Sequence, residues 1–436
     1  MTGGAMLIRV RAAAGRLARR VGGGQGPERR FPARPRMVFL ILAVHGRSGV
    51  ARATLNVASA LAETHDVEII SVYSGRARPF EVDPRIAVRY LVPVPFRRLS
   101  TLSPALARKA AQPSRLLGDR LYSALTDEAL SRELGRLGSG DVVVSTRPAL
   151  HQVTARIAPE QVVRVGWDHF NYPGRQRPRG GGTGIRRAMP GLDAFIVLTE
   201  ADRHDYRMDH PDARIEVIRN AVLWPIRTER PERDSRTVVA AGRLAPVKGF
   251  DRLVDAWSMV EADFPDWRCR IYGTGPLRAG LEEQVRSKST TLELAGYSSD
   301  MMADLGRAEL FVMSSRFEGL PMTLIEALTQ GTPVVSFDCP RGPGEIVDEG
   351  NGRLVPDGDV PALAAALAEL MADRELRTRL GVQALKDSRK YAIDQVAARW
   401  AALADDLAGN PERVAATVAA RHARGRARAA QGSAAE

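Results

Sequence analysis

The stretch Ser314-Ser315-Arg316-Phe317-Glu318-Gly319-Leu320-Pro321-Met322-Thr323-Leu324-Ile325-Glu326-Ala327-Leu328-Thr329-Gln330-Gly331-Thr332-Pro333-Val334-Val335 reads as a loop, a short helix, a stop and the start of a strand. Pro321 suits the first helical turn, because its missing N–H would have no partner there. Gly331 suits a left-handed stop, and Pro333 bars continuation. At helical spacing Thr323, Glu326 and Gln330 share one face, while Leu324, Ile325 and Leu328 point away from it. Glu318 precedes Glu326 by eight positions, in the loop that enters the helix. Two carboxylates therefore border one helix start, whose free N–H groups and positive dipole end make a seat for phosphate.

The same rhythm of strand, turn and helix runs outward from here. Met37–Val44 is a continuous apolar run, the mark of a strand buried on both faces of a parallel sheet. His45-Gly46-Arg47-Ser48-Gly49-Val50 turns into an amphipathic helix from Ala51 to Leu61, the opening of a doubly wound domain. Further strands are expected at 67–73, 86–92, 141–145, 162–167, 194–198 and 215–218, with a largely helical stretch at 116–137. Residues 96–120 break the rhythm with prolines and six basic residues, and read as a basic surface element.

After a polar linker at 227–236 the pattern restarts. Strands are expected at 237–241, 268–272, 292–294, 310–313 and 334–337, with helices at 250–260, 277–286, 300–307 and 321–330. Helices at 360–371, 374–387 and 393–407 close the chain. The fold class is α/β: two Rossmann-like domains facing a central cleft, at 36–225 and 226–392. A helix at 393–408 is expected to cross back to the first domain. Segments 1–35 and 409–436 read as disordered and basic.

Charge sharpens that division. The chain of 436 residues carries +12, but residues 1–36 hold nine arginines and one glutamate, and 409–436 hold five arginines and two acids. Basic segments outside a nearly neutral body, without interleaved aromatics, argue against nucleic acid and for peripheral contact with an anionic membrane. Two cysteines give no disulfide framework and fit a reducing cytosol. No Cys/His spacing suits zinc, so no metal is expected. The longest apolar run is eight residues, against the ~20 a membrane span needs, and the first thirty residues lack a signal-peptide core. The expected location is the cytoplasm, at the inner face of the cell membrane.

Gly242-Arg243-Leu244 with Lys248-Gly249, then Glu318 and Glu326, then Gly331-Thr332-Pro333-Val334-Val335, resembles the family 4 retaining glycosyltransferases of the GT-B fold. The resemblance covers roughly 37–407. It implies a nucleotide-diphosphate sugar as donor, with Arg243 and Lys248 stabilising the leaving diphosphate in place of a metal. It implies that N–H groups at Gly319 and Leu320 add donors to the phosphates, that Glu326 holds ribose hydroxyls beside Thr323, and that Glu318 holds sugar hydroxyls. His169 is the match to a histidine that contacts the donor sugar, with Asp168 its rival. Gly49 corresponds to a glycine whose N–H meets the diphosphate, and Gly273 lies in a turn that could meet the nucleotide. Tyr297 could flank the base, but packing is the readier account. Cys339-Pro340-Arg341-Gly342-Pro343-Gly344-Glu345-Ile346 resembles a Gly-Pro-x-Glu signature of part of the family, with Glu345 given no role beyond lining the cleft.

The expected activity is transfer of a hexose, with retention, from a UDP-sugar to a hydroxyl of a glycan, teichoic-acid-like or lipid-linked acceptor in cell-surface polysaccharide assembly. No cofactor is expected beyond the donor substrate. An epimerase or sugar phosphorylase on the same fold, or a polyanion-binding protein acting through its basic tails, are the alternatives.

Overall fold

A computed structural model describes residues 29–46, 48–74, 81–92, 103–222 and 224–433. The disorder expected for 1–28 and part of the basic element at 96–120 therefore lie outside the described residues. The chain forms two compact units. One comprises Met1–Gly166, Gly184–Asp193 and Ala401–Glu436; the other comprises Trp167–Thr183 and Ala194–Trp400.

In the first unit the strands are β1 (Arg36–Ala43), β2 (Val67–Tyr73), β3 (Ala87–Val92), β4 (Asp141–Ser145) and β5 (Val163–Trp167). All neighbours are parallel in the order β3-β2-β1-β4-β5. The apolar run at 37–44 earns its central place: Phe39 is paired with Ile69 on one side and Val144 on the other. Val38, Leu40, Ile70, Val143 and Leu150 share one buried core.

In the second unit β6 (Ala194–Val197) pairs in parallel with β7 (Ile215–Val217). A separate sheet holds β8 (Thr237–Ala241), β9 (Arg268–Tyr272), β10 (Glu293–Gly296), β11 (Leu310–Met313), β12 (Val334–Asp338) and β13 (Gly352–Pro356). These six are parallel in the order β10-β9-β8-β11-β12-β13, so the strand order reverses between β8 and β11. That is the doubly wound arrangement, in which ligands gather beyond the carboxyl ends of the strands at the reversal. Leu253, Val254 and Trp257 of the helix Phe250–Val260 are buried in a core that includes Val238, Val312 and Val335. Both halves are thus Rossmann-like, as expected.

Three expectations change. The helix foreseen over 116–137 spans only Ala124–Leu134, because Asp127 draws the preceding chain into a loop by accepting from Ser114 Oγ and from the N–H of Arg115. β13 went unforeseen. The segment 409–436 is not a disordered tail: Pro411–Ser433 is a helix. Arg421, buried, donates to Asp193 at 2.8 Å and to the carbonyl of Val162 at 3.2 Å, and Arg424 donates to the carbonyl of Leu192 at 2.9 Å. Arg421 and Arg424 are tertiary anchors, a role composition cannot display. Among the described N-terminal residues, Arg36 grips Asp141 and Arg29 reaches Asp66. Among the described residues no helix is long and apolar enough to cross a membrane.

Candidate functional site

The two loops that follow β8 and β11 meet at the strand-order reversal, and the geometry between them is built on glycine. Gly242 has no side chain, and the space its Cβ would take lies 3.3 Å from Lys248 Cε. Lys248 folds back across that gap. Its turn ends at Gly249 in the left-handed region, φ 59°, where a Cβ would stand 2.1 Å from the carbonyl oxygen of Ser314. Gly273, at φ 149°, abuts the same loop, for its Cβ would fall 1.8 Å from the Gly242 carbonyl. At Gly249 and Gly273 only glycine tolerates these approaches.

Lys248 Nζ then lies 2.6 Å from Glu318 Oε1, and Ser315 Oγ donates to the same oxygen at 2.6 Å. Ser314 Oγ donates to the Lys248 carbonyl at 3.1 Å. Arg316 locks the loops from outside: its guanidinium grips Asp251 and holds that carboxyl below the usual range. Arg243 is exposed on the first loop, and its guanidinium makes no ion pair among the described residues. Burial, with Glu318 a lesser cause, pushes the Cys339 thiol up to about 12, so this neighbouring cysteine stays protonated.

The helix foreseen at 321–330 spans Met322–Thr329, with Pro321 at its N-cap. Leu324, Ile325 and Leu328 are buried, as the spacing requires, and Glu326 is buried with them at 4% exposure. Thr323 and Gly319 are partly exposed and Leu320 is buried.

The strand-end cluster at 167–172 joins this neighbourhood. The His169 carbonyl oxygen lies 3.5 Å from the place a Gly319 Cβ would take, and its ring stacks on Trp167 with centroids 4.1 Å apart. Asp168 is removed as a rival: fully buried, it accepts from Arg175 Nε at 3.0 Å and from Tyr206 Oη at 3.0 Å. It holds the fold. Asn171, which the sequence did not single out, donates to the Glu318 carbonyl and accepts from the Gly174 N–H at 2.8 Å. Its local half is a side-chain cap visible in the sequence; its partner, 147 residues away, is not.

The structure therefore brings His169, Lys248, Glu318 and Gly319 together, with Gly242, Gly273 and Arg243 on the adjoining loops. Gly49 lies in the first unit, as the exposed first residue of the helix Gly49–Leu61. Tyr297 is 83% exposed just past β10, so the packed reading fails. Glu345 accepts the N–H groups of Glu200 and Ala201, each at 3.0 Å, and pairs with Arg219. It caps the helix Glu200–Asp209. Among the described residues no group of three or more His, Cys, Asp or Glu could hold a metal ion.

Residues 225–387 match the family model described as glycosyl transferases group 1. The chain is 33% identical over 401 residues to the exopolysaccharide phosphotransferase SCO2592 of Streptomyces coelicolor, covering 87% of this chain but 42% of that protein. It is 24% identical over 369 residues to an uncharacterized glycosyltransferase of Haemophilus influenzae, covering 83% and 98%. Among solved structures it resembles S. aureus TarM in complex with fondaparinux, alpha-GlcNAc-glycerol and UDP, with a TM-score of 0.67, 16% identity, and 85% and 99% covered. That likeness establishes the GT-B fold.

Proposed function

We propose, from the match of residues 225–387 to the glycosyl transferases group 1, that the chain moves a sugar from a UDP-sugar to a hydroxyl of a cell-surface glycan or lipid-linked acceptor, with retention of configuration. One observation carries this reading: Lys248 and Glu318, 2.6 Å apart, stand at the carboxyl ends of β8 and β11 where the strand order reverses. A diphosphate there meets Lys248 as a mobile charge and Arg243 as a planar fork, and both gain strength as the sugar–phosphate bond breaks and charge grows on the leaving oxygen. Glu318 holds sugar hydroxyls, steadied by Ser315 and by Asn171 on its carbonyl. Glu326 and Thr323 hold the ribose side, and His169 reaches the sugar from the opposite loop. With the acceptor on the same face, the departing phosphate oxygen takes its proton as the new glycosidic bond forms, so no protein nucleophile is needed.

The test is turnover of a panel of nucleotide sugars with a polysaccharide acceptor, reading the nucleotide released. Release of UDP supports the proposal. Release of UMP would mark transfer of a phosphosugar, the reading that the name of the Streptomyces relative favours. Epimerised donor without acceptor would overturn both. Turnover should survive chelation by EDTA, since Lys248 and Arg243 supply the charge; loss of activity restored by magnesium would contradict the cationic roles of these two side chains.

A further inference from the structure

A cavity of about 540 Å³ in the second unit lies away from these loops. Arg233, in its wall, donates to the carbonyls of Ala308 at 2.8 Å and Gly331 at 3.2 Å and to Thr332 Oγ1 at 3.0 Å, the residues that lead into β11 and β12. The cavity therefore sits at the amino ends of β11 and β12, and the carboxyl end of β11 leads to Glu318.

Its lining is cationic. Arg230, Arg233, Arg374, Lys386 and Arg389 face only Glu229 and Glu232 as acids. Arg374, Lys386 and Arg389 are exposed, and their side chains make no ion pair among the described residues. The other two are built into the floor. Arg230 threads between two glycines: a Cβ at Gly381 would fall 2.4 Å from its Nε, and one at Gly331 would fall 3.3 Å from its Cγ. Arg230 and Arg377 both reach the buried Glu309 Oε2 at 3.3 Å, while Arg233 reaches only carbonyls and a hydroxyl. Two guanidiniums thus share one buried carboxylate and a third, Arg233, bonds only neutral oxygens, leaving positive charge beneath the cavity that an anion would balance. Burial, with Arg230 as the next cause, lowers the Arg233 pKa to about 9. The volume falls in the range of small-molecule sites, roughly 300–1,000 Å³.

We propose that this cavity binds a soluble phosphate-bearing anion at a site separate from the sugar-donor loops. The probe is inorganic pyrophosphate, titrated calorimetrically into the full chain carrying Lys248→Ala, which disables the donor-side cation. Binding should persist there, and should weaken roughly tenfold or more when Arg374→Ala and Arg389→Ala are added, the loss expected for charge-assisted contacts. Both side chains are exposed, so the melting curve should not change. Arg379→Ala, exposed on the helix of Arg374 but outside the cavity, should leave the affinity as it was. Three results would overturn the site: no heat at millimolar pyrophosphate, an affinity indifferent to the double substitution, or an equal loss with Arg379→Ala.

Discussion

Gly242 leaves room for Lys248, whose stem passes 3.3 Å from where a Cβ would stand on its way to Glu318. Lys248→Ala or Glu326→Ala should abolish the rise in melting temperature that a bound nucleotide sugar gives by mass action, without unfolding the protein. An unchanged rise in either variant would remove the donor reading. Glu318→Gln keeps the shape, and should lower kcat by about 10²–10³ in donor turnover, the scale of losing one preorganised contact in the transition state. Asp202 offers a pH reading. Burial pushes its carboxyl up to about 6, from an ordinary value near 3.8, despite bonds from Thr199 and Tyr172. The folded state thus holds this proton where the unfolded chain has released it. The contribution is favourable below pH ~4 and falls as pH rises to ~6, by up to ~3 kcal/mol. Thermal melts between those limits should show a flatter slope for Asp202→Asn; an identical slope would assign the proton elsewhere.

Among the elements, most strands and the helix Met322–Thr329 could be read from sequence because each is specified locally. β8 and β11 follow their apolar runs residue for residue, since strands buried on both faces permit little else. β13 was missed because Gly352–Pro356 mixes arginine, glycine and proline, and its place depends on pairing with β12. The site divides the same way. Glu318 and Glu326 are marked by their spacing about one helix start, and Gly242 and Lys248 by the family resemblance, whereas Asn171 and Glu345 act through partners distant in sequence. The turns themselves are exacting: Gly273→Ala would put a side chain at φ 149° against the Gly242 carbonyl. It should lower stability by at least ~1–3 kcal/mol and weaken donor binding together with it, measured by denaturant melts and thermal shift. Loss of stability with donor binding intact would show that the loop of Arg243 does not depend on this contact.

For the whole molecule, the largest departure from expectation is the helix Pro411–Ser433 in place of a disordered basic tail. Net +12 suggested tails for a polyanion or a membrane, yet Arg29, Arg36 and Arg421 are engaged by Asp66, Asp141 and Asp193. Arg421→Ala would strand a buried Asp193 and should cost ~3–5 kcal/mol, seen as a lowered melting temperature of the full chain; a change within error would return the segment to the role of an appendage. Long-range contacts of this kind also set the order in which the fold can be completed during synthesis. Arg421 meets Asp193 across 228 residues, and Asn171 meets Glu318 across 147. A nascent chain emerging at about 5–20 residues per second exposes β1–β5 well before the helix that completes their unit. It likewise exposes the strand-end loop of His169 well before the loop it supports. The first unit begins first and finishes last. During that interval Asp193 lacks its arginine.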